Sequence, residues 1–441
     1  MPAPLQFIES TTELPDQADA VIIGGGVIGT FTAYYLAKRG LKVALIEKGV
    51  IAGEQSSRNW GWCRQQNRDA RELAMATKAL DLWEQFGAET GEDTGFRRCG
   101  LFYVSNDPKE LDTWARWGEF ARSVGVKTRM LNSEEATRHG GFTGQRWKGG
   151  VHSQEDGIAN PGIAVPAVAR ALMKLGGTVH QACAARGIET TGGAVSAVVT
   201  EKGVIKTPLA IHAGGAWASS FCRQLGIRFP QASIRQTILS VWTGNLSLPE
   251  AFVSKSISIT RRGTGLHTLA ISGRGKVDPT GHILRFPTQF LPMLARRWRS
   301  LSVGGLEGLR SGHETLARWR LDKPTPMETL RILDPTPDPK SIRLTLQGAA
   351  DLIPALAATP VAATWAGYID STPDGVPLID EMEKVPGLIV AAGFSGHGFG
   401  IGPGAAHLVA DIATGQTPII DPHPFRLSRF GRGNRTDVSE F

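Results

Sequence analysis

The chain has 441 residues, of which 41% are hydrophobic and 20% are charged, and its length exceeds one simple core, so we expect two domains of an ordinary globular protein. Its formal net charge of +7 is spread along the chain with no aromatic-basic module, which argues against a nucleic-acid partner. No CxxC pair is formed by the four cysteines, Cys63, Cys99, Cys183 and Cys222, so we expect neither a metal site nor a disulfide framework. We see neither an apolar leader nor a run of about 18 apolar residues, so we expect no membrane-spanning segment and a cytoplasmic location.

The most informative stretch lies near the N-terminus, where residues 18–49 read as a strand, a glycine turn, a helix and a second strand. Three glycines have the spacing of a dinucleotide fingerprint: the first permits a tight turn, the second lets a pyrophosphate approach, and the third lets the helix pack on the strand. An acid ends the second strand, where it can accept hydrogen bonds from ribose hydroxyls. A glycine turn without a ligand is the alternative. We favour a dinucleotide site and assign to it Gly24, Gly26, Val27, Ile28, Gly29, Glu47 and Lys48.

Further along the chain, helical and strand-like patterns alternate. Apolar periodicity predicts a helix that begins near Ala70, a second at residues 111–124, and one that ends at about residue 222. Pro161 opens a further helix that runs to about residue 175, and the last predicted helix runs from Ala405 to about Thr414. Alternating and short apolar runs predict strands at residues 96–104, 179–184, 194–200, 204–213 and 387–393, with a β-rich stretch at 234–290. Residues 51–69 and 324–339 are predicted to be loops.

Signals of the dinucleotide-binding kind recur in separated parts of the chain. We therefore predict a nucleotide-binding domain assembled from separate segments, with a second domain inserted between them. The nucleotide-binding domain is assigned residues 18–95, 150–222 and 360–420, and the second domain residues 96–149 and 223–359.

Four blocks, which together span nearly the whole chain, carry a resemblance to a known family. They are the N-terminal fingerprint, AGGAW at residues 213–217, YIDSTPDGVPLI at 368–379 and GFSGHGFGIGPG at 393–404. On these residues the chain resembles the flavin-dependent amine and amino-acid oxidoreductases of the D-amino-acid oxidase type, which include sarcosine and glycine oxidases. The resemblance implies FAD and an α/β fold. In that fold a Rossmann-like FAD-binding domain of the glutathione-reductase type is joined to an α+β substrate domain with a mostly antiparallel sheet.

The resemblance also implies further cofactor contacts. In the family, the Gly-His-Gly segment runs beside the flavin ring, and the helix N-terminus after it stabilises negative charge; here these residues are Gly396, His397, Gly398, Phe399, Gly400 and Ile401. The loop after the second strand lies near the pyrophosphate and matches Ser56, Ser57, Arg58 and Asn59. Other contacts are expected from Ala185 (or Ala184), Gly214 and Trp217. The alternatives are a structural loop histidine at 397 and an ordinary polar loop at 56–59.

The reaction that the resemblance implies is oxidation of a C–N bond, with hydride transfer to flavin N5 and hydrolysis of the resulting imine. The substrate would be a small carboxylate-bearing amine: a D-amino acid, or a sarcosine-, iminodiacetate- or opine-like compound. Arg64 lies near a carboxylate-binding arginine of sarcosine oxidases, and a planar guanidinium suits a carboxylate. The alternative is an ion pair of Arg64 or Arg68 with Asp69. The other pocket candidates are Trp60 and Trp62 as walls, and Tyr368, His397 and, through a gapped match, His267 as catalytic residues.

Three departures from the family pattern limit these expectations. Ala366 stands where sarcosine oxidase relatives attach FAD through a cysteine, and no histidine lies near Arg58, so we predict non-covalent FAD. Gly400 stands where those relatives carry a lysine that helps to hold the carboxylate, so the substrate must differ. His267, with Lys276 nearby, matches a lysine that promotes reaction with oxygen. Oxygen and another electron acceptor therefore both stay open, and the alternative function is a flavoprotein dehydrogenase subunit of a larger electron-transfer complex. The oligomeric state is also open.

Overall fold

The structure is a computed structural model that describes residues 3–271, 273–305, 317–431 and 438. Its α-helices are α1 (Val27–Lys38), α2 (Ala70–Thr90), α3 (Pro108–Ser123), α4 (Ser133–His139), α5 (Ala164–Lys174), α6 (Ala218–Gln224), α7 (Gly281–Arg285), α8 (Pro287–Arg297), α9 (Pro326–Thr329), α10 (Pro339–Leu352) and α11 (Gly398–Thr414). Short 3-10 turns lie at Gln55–Ser57, Gly141–Thr143, Gly215–Trp217, Trp298–Ser300, Pro354–Leu356, His423–Phe425 and Leu427–Phe430.

The strands are β1 (Ala20–Ile23), β2 (Val43–Ile46), β3 (Trp62–Cys63), β4 (Arg97–Arg98), β5 (Leu101–Ser105), β6 (Thr128–Leu131), β7 (Gly149–Ser153), β8 (Gly157–Ile158), β9 (Thr178–His180), β10 (Ala185–Thr191), β11 (Ala194–Thr200), β12 (Val204–Lys206), β13 (Ala210–His212), β14 (Ala232–Trp242), β15 (Ala251–Val253), β16 (Ser258–Gly263), β17 (Leu266–Ala270), β18 (Gly275–Val277), β19 (Leu301–Val303), β20 (Val361–Ser371), β21 (Leu378–Glu381) and β22 (Leu388–Ala392).

A six-stranded sheet is the centre of the nucleotide-binding half. Its order is β21-β22-β13-β1-β2-β9, and every neighbouring pair is parallel except β21 with β22. β1 and β2 are apolar and buried along their whole length, as parallel strands covered on both faces usually are. α1 packs against α5 and α11. The strands come from residues 20–46, 178–212 and 378–392, which confirms that a nucleotide-binding fold is assembled from separated segments.

A ten-stranded, mostly antiparallel sheet forms the second large layer. Its order is β19-β18-β14-β17-β16-β15-β5-β7-β6, and β20 pairs with β14 along almost the whole length of both strands. The predicted α/β class with an antiparallel substrate sheet is therefore confirmed. The domain bounds stay a prediction, and two elements cross them. β20 and all of β7 except Gly149 lie in segments assigned to the nucleotide-binding domain, but both strands pair into the ten-stranded sheet.

The helix predicted from Ala405 begins earlier, at Gly398. Because glycine is a poor helix former, the glycine-rich run concealed the first turns of α11. The glycines allow close packing: a Cβ on Gly400 would lie only 2.4 Å from the carbonyl oxygen of Trp62 in β3. The missing side chains thus let α11 reach the loop that carries the candidate substrate residues.

The region after β14 also differs from the prediction. The stretch expected to be β-rich ends with β18, and α7 and α8 follow it, with Pro287 at the first turn of α8, where proline favours a helix start. The predicted loop at 324–339 contains α9, because Thr325 and Glu328 form a capping box. Among the helices described, none combines the length and the apolar character that crossing a bilayer requires.

Candidate active site

A cavity of about 770 Å³ is lined by residues of both large sheets. The glycine turn between β1 and α1 forms part of its wall, and the start of α11 forms another part. Loops around residues 52–60, 213–217 and 367–371 also contribute. The four sequence blocks that carry the family resemblance therefore meet around one space.

Two glycines make the first turn possible. Gly24 has a φ of +114°, and a Cβ there would lie 2.5 Å from the carbonyl oxygen of Ala213. A Cβ on Gly29 would lie 2.0 Å from the carbonyl oxygen of Gly24. On Gly26 the nearest neighbour of a Cβ would be Ser56 Oγ at 3.1 Å, and Gly26 lines the cavity. The first and third glycines thus serve close packing of the backbone, whereas the second lies at the cavity wall, where a Cβ would meet a side-chain oxygen and no backbone atom.

Glu47 lies on the cavity wall at the end of β2. Its Oε2 accepts a hydrogen bond from the Gly25 N–H at 2.7 Å, and its Oε1 accepts one from the Gly49 N–H at 2.7 Å. Burial raises the pKa of this carboxyl group, and the neighbouring Lys48 charge and both N–H groups oppose the rise. The backbone fixes the carboxylate, and each oxygen keeps a lone pair for a hydroxyl group of a ligand.

Two helices begin at the cavity, and neither N-cap residue uses its own side chain as a cap, although Ser56 Oγ accepts a hydrogen bond from the first amide of α1. α1 follows Gly26, and its first-turn residues Val27 and Ile28 line the cavity. α11 follows His397, and residues 396–400 line the cavity as well. Uncapped helix N-termini attract anions because their N–H groups are unsatisfied and the helix dipole is positive there. These features, with Gly26 at the cavity wall and the fixed Glu47, fit the diphosphate, ribose and electron-accepting ring of FAD.

The polar loop after β2 is held together largely by its own side chains. The Arg58 guanidinium forms an ion pair with Asp334 at 2.5 Å and donates to the carbonyl oxygen of Ala366 at 2.8 Å. Asn59 Nδ2 donates to the carbonyl oxygen of Ser56 at 2.8 Å. Ser56 Oγ accepts a hydrogen bond from the first amide of α1 at 2.9 Å. The loop therefore shapes the cavity, although Arg58 already has an acidic partner.

His397 is oriented by a buried carboxylate. Glu72, fully buried in the first turn of α2, has its Oε2 3.0 Å from His397 Nδ1. Burial lowers the pKa of His397, and the charges of Arg68 and Arg64 lower it further, against the opposite effect of Glu72. A neutral imidazole that donates from Nδ1 to Glu72 keeps Nε2 as a hydrogen-bond acceptor. Nothing in the sequence singles out Glu72 among the acids of its helix.

Arg64 lines the cavity and forms no ion pair with a carboxylate of the described residues. Its Nη1 donates to a backbone carbonyl and to the Tyr103 hydroxyl at 3.2 Å, and its guanidinium lies 5.6 Å from the ring centre of Trp62. Asp69, the alternative partner considered from the sequence, instead caps α2 and pairs with Arg71 at 2.8 Å. Arg64 is therefore available to a carboxylate in the cavity.

Four aromatic rings form a continuous wall beside Arg64. The ring centres of Trp60 and Trp62 are 4.7 Å apart, those of Trp62 and Tyr103 are 6.4 Å apart, and those of Tyr103 and Trp114 are 5.8 Å apart. All four side chains line the cavity. Trp60 and Trp62 were expected from their position beside Arg64. Tyr103 and Trp114 come from β5 and α3, and no local signal connects them with the site.

Most of the predicted site residues line the cavity. They are Gly24, Gly26, Val27, Ile28, Glu47, Lys48, Ser56, Arg58, Asn59, Arg64, Ala185, Gly214, Trp217, Tyr368, Gly396, His397, Gly398, Phe399 and Gly400. Gly29, Ser57, Ile401 and His267 lie outside the lining. Gly29 acts through packing, and Ser57 and Ile401 are buried beside residues that do line the cavity.

His267 is not brought to the cavity. It lies in β17 opposite Val241 of β14, is 3% exposed, and has its Nδ1 2.8 Å from Thr243 Oγ1. The gapped match that placed His267 beside the substrate is corrected by this position inside the ten-stranded sheet. Tyr368 does line the cavity, but its hydroxyl donates to Asp278 at 3.2 Å. The Tyr368 hydroxyl is thus engaged by the protein.

None of the four cysteines, all within the described ranges, lines the cavity. Ala366, at the position where a cysteine would attach the flavin in relatives, is fully buried in β20. This arrangement supports non-covalent FAD, which stays a prediction.

Fold and site together define a flavin-dependent oxidoreductase, because a dinucleotide turn, two helix N-termini and a substrate-sized space share one cavity. Residues 19–412 match the family model described as FAD dependent oxidoreductase, DAO. The chain belongs to this family, and its cofactor is FAD. This confirms the predicted class, which is an FAD-dependent oxidoreductase of a family that acts on amino and amine donors.

The relatives and similar structures cover nearly all of the chain. The glycine oxidase of Pseudomonas aeruginosa is 27% identical over 426 residues, which are 92% of this chain and 97% of the relative. The human mitochondrial sarcosine dehydrogenase is 25% identical over 426 residues, and the chain spans 42% of its length. The solved L-amino acid deaminase from Proteus vulgaris has a TM-score of 0.91 at 30% identity, with 96% of this chain and 100% of that chain covered. The Proteus myxofaciens enzyme, in complex with anthranilate, has a TM-score of 0.93 at 29% identity, with 97% of each chain covered.

Proposed function

We propose that the protein oxidises the C–N bond of an α-amino acid whose carboxylate is held by Arg64. The observation that carries the proposal is the position of this guanidinium: it lacks an acidic partner among the described residues and lines the same cavity as the glycine turn and His397. A guanidinium is a planar donor that pairs with a carboxylate through two parallel hydrogen bonds. Anchoring the acid group orients the neighbouring α-carbon, which is what hydride transfer requires.

The aromatic wall favours a substrate with an apolar or aromatic side chain. Trp60, Trp62, Tyr103 and Trp114 offer a large hydrophobic surface next to the proposed carboxylate anchor. The similar structures include L-amino acid deaminases, one of them in complex with anthranilate, an aromatic carboxylate. Glycine, sarcosine-like and iminodiacetate-like donors, which the names of other relatives indicate, are the competing choices.

His397 is proposed to prepare the amine. An ammonium group has no lone pair to assist hydride loss from the α-carbon, so a proton acceptor is needed. With Nδ1 held by Glu72, the lone pair on Nε2 of a neutral His397 can take that proton. The lowered pKa of His397 keeps the ring neutral near pH 7. When bound, FAD supplies the ring that accepts the hydride.

Anaerobic mixing of the purified yellow protein with a panel of donors tests the proposal. The panel contains both enantiomers of phenylalanine and leucine, with glycine, sarcosine and iminodiacetate. We expect the visible flavin absorbance to bleach fastest with a bulky apolar amino acid. Arg64→Gln should keep the same oxidised spectrum but bleach far more slowly at a given substrate concentration. If no member of the panel bleaches the wild-type flavin, the proposal is wrong.

The electron acceptor defines the second candidate function, a dehydrogenase subunit of a larger assembly. The chain aligns with 97% of the beta subunit of an Arthrobacter sarcosine oxidase, at 25% identity over 446 residues, and that name describes one part of a complex. After reduction by substrate, the protein is mixed with air or with a soluble redox dye. Stoichiometric peroxide in air indicates an oxidase. Slow reaction with air and fast reaction with the dye indicates the dehydrogenase subunit.

A further inference from the structure

A second arginine on the cavity wall has no function in the mechanism above. Arg68 is 3% exposed and lines the cavity together with Arg64 and His397. Its Nε donates to the backbone carbonyl of Arg64 at 3.3 Å. Its Nη1 is shielded from solvent and, among the described residues, has no hydrogen-bond partner, and the side chain forms no ion pair with their carboxylates. A buried guanidinium of this kind is normally paired.

The surroundings of Arg68 disfavour its positive charge. Burial and the like charge of Arg64 lower the pKa of Arg68 to about 10, while Glu72, Tyr103 and Asp156 oppose this shift. Glu72 uses one oxygen for His397. A fold that keeps two like-charged groups together in a cleft is typical of a site for an opposite charge.

The loop that carries both arginines is rigidly held. Asp156 is fully buried and accepts hydrogen bonds from the N–H groups of Gln65 at 2.7 Å and Gln66 at 3.2 Å. Trp117 Nε1 donates to the carbonyl oxygen of Arg68 at 2.9 Å. The buried acid therefore binds the loop backbone between the two arginines. The protein thus holds the backbone from which both arginine side chains extend, which reduces the entropic penalty of binding.

We propose that Arg64 and Arg68 together bind the substrate carboxylate, which lies between the two guanidiniums. A carboxylate has enough lone pairs to accept hydrogen bonds from two arginines, and its negative charge relieves their mutual repulsion. The inference rests on the proposed function and deepens it, because it makes Arg68 a second binding residue for the same acid group. It would also let the site hold a carboxylate although Gly400 stands where sarcosine oxidase relatives carry a lysine.

Benzoate, a carboxylate without an amine, is the probe. Its binding to the holoprotein is followed by the change in the visible flavin spectrum, and benzamide serves as the neutral counterpart. We expect Arg68→Gln to weaken benzoate binding by about 10- to 100-fold, the contribution of a charge-assisted hydrogen-bonded pair, and to leave benzamide binding unchanged.

Arg262→Gln is the matched control. Arg262 is 7% exposed, burial lowers its pKa to about 10, and its Nη1 has no partner among the described residues, but it lies outside the cavity lining. This variant should bind benzoate within about twofold of wild type, because variation in stability alone does not alter a preformed anion site. An equal loss in both variants would show that buried arginines act through stability, and it would overturn the proposal.

Sulfite addition distinguishes an effect of Arg68 on the substrate carboxylate from an effect on the flavin, because sulfite adds to the flavin ring itself. Unchanged benzoate binding with weaker sulfite addition in Arg68→Gln would assign Arg68 to the ring and overturn the proposal. If Arg68→Gln does not retain FAD, Arg68→Lys replaces it as the test. Lysine keeps the positive charge but lacks the planar pair of donors, so benzoate should bind at least threefold more weakly, by about 0.7 kcal/mol. Wild-type benzoate affinity in Arg68→Lys would refute the inference. If Arg64→Gln alone loses benzoate, only the assignment of Arg68 fails. If wild-type protein binds benzoate and no amino acid bleaches it, the proposed function fails and the anion site stands.

Discussion

A methyl group on Gly29 would collide with the turn that we assign to the FAD diphosphate. In Gly29→Ala the new Cβ would lie 2.0 Å from the Gly24 carbonyl oxygen, so the two atoms must part by 1.4 Å to reach an ordinary contact of 3.4 Å. Gly24 cannot yield, since its Cα already faces the carbonyl group of Ala213 with no room for a side chain. The helix α1 must therefore move, and its first-turn amides move with it.

The expected magnitude follows from this displacement. Overpacking of this kind costs about 1–3 kcal/mol, a part of the about 5–15 kcal/mol that stabilises a typical domain, so the variant should still fold. Loss of one charge-assisted hydrogen bond to a phosphate weakens binding by about 1.5–3 kcal/mol, or about 10- to 100-fold. We therefore expect FAD affinity to fall by about 10- to 100-fold in a variant that still folds.

Reconstitution of apoprotein with FAD, followed by the quenching of flavin fluorescence, measures the affinity, and thermal unfolding of the apoprotein measures the stability. Gly87→Ala in α2 is the control, because its Cβ would have no neighbour closer than 3.9 Å. That variant should gain roughly 0.5–1 kcal/mol from the better helix former and bind FAD normally. Wild-type FAD affinity in Gly29→Ala would refute the assignment of this turn.

The remaining predictions concern the substrate side of the cavity. Arg64→Lys should raise KM by about 10- to 100-fold with a smaller change in kcat, because the carboxylate is bound alike in the ground and transition states. In Glu72→Gln, the group that raises the pKa of His397 is lost, while burial, Arg68 and Arg64 still lower it; the acid limb of the kcat/KM profile should move to lower pH. His267→Asn should leave the flavin spectrum and kcat unchanged, because the side chain lies outside the cavity lining. Acid precipitation should leave FAD in the supernatant, because Ala366 offers no sulfur.

Each of these predictions would be refuted by a specific experimental result. An unchanged KM in Arg64→Lys would remove the carboxylate anchor. A pH profile that stays in place in Glu72→Gln, measured with correctly folded and fully loaded protein, would show that His397 does not act as the proton acceptor. Loss of turnover in His267→Asn at normal stability would restore that residue to the site. Yellow colour in the acid pellet would show a covalent flavin.

The parts of the site that could be predicted are those whose physical determinants are local. The turn at residues 24–29 needs particular glycines, because a side chain at Gly24 or Gly29 meets backbone atoms. Arg64 was placed by its motif, and its lack of an acidic partner among the described residues agrees with the expected use. The helix start at Gly398 was missed because its glycines are selected for close packing, which opposes their intrinsic propensity.

The parts that could not be predicted depend on distant elements. Glu72 and Arg68 became candidates only when α2 and its preceding loop were seen against the start of α11. Tyr103 and Trp114 join the aromatic wall from a strand and a helix of the other half of the molecule. The gapped match placed His267 in the substrate pocket, whereas the structure places it in β17 outside the cavity lining. A gapped alignment does not determine which face of a strand lines a cavity.

The amino-acid sequence alone predicted a dinucleotide site and the assembly of the nucleotide-binding fold from separated segments, because glycine spacing and apolar strand runs are properties of consecutive residues. FAD and the details of the α/β class came from the resemblance of four sequence blocks to a known family. Only the tertiary structure added Arg68, Glu72, Tyr103 and Trp114 to the charged and aromatic side chains that were expected around the substrate space. Their convergence is a matter of packing between β3, β5, α2, α3 and α11, and contacts between elements so far apart in the chain leave no mark in the local order of residues.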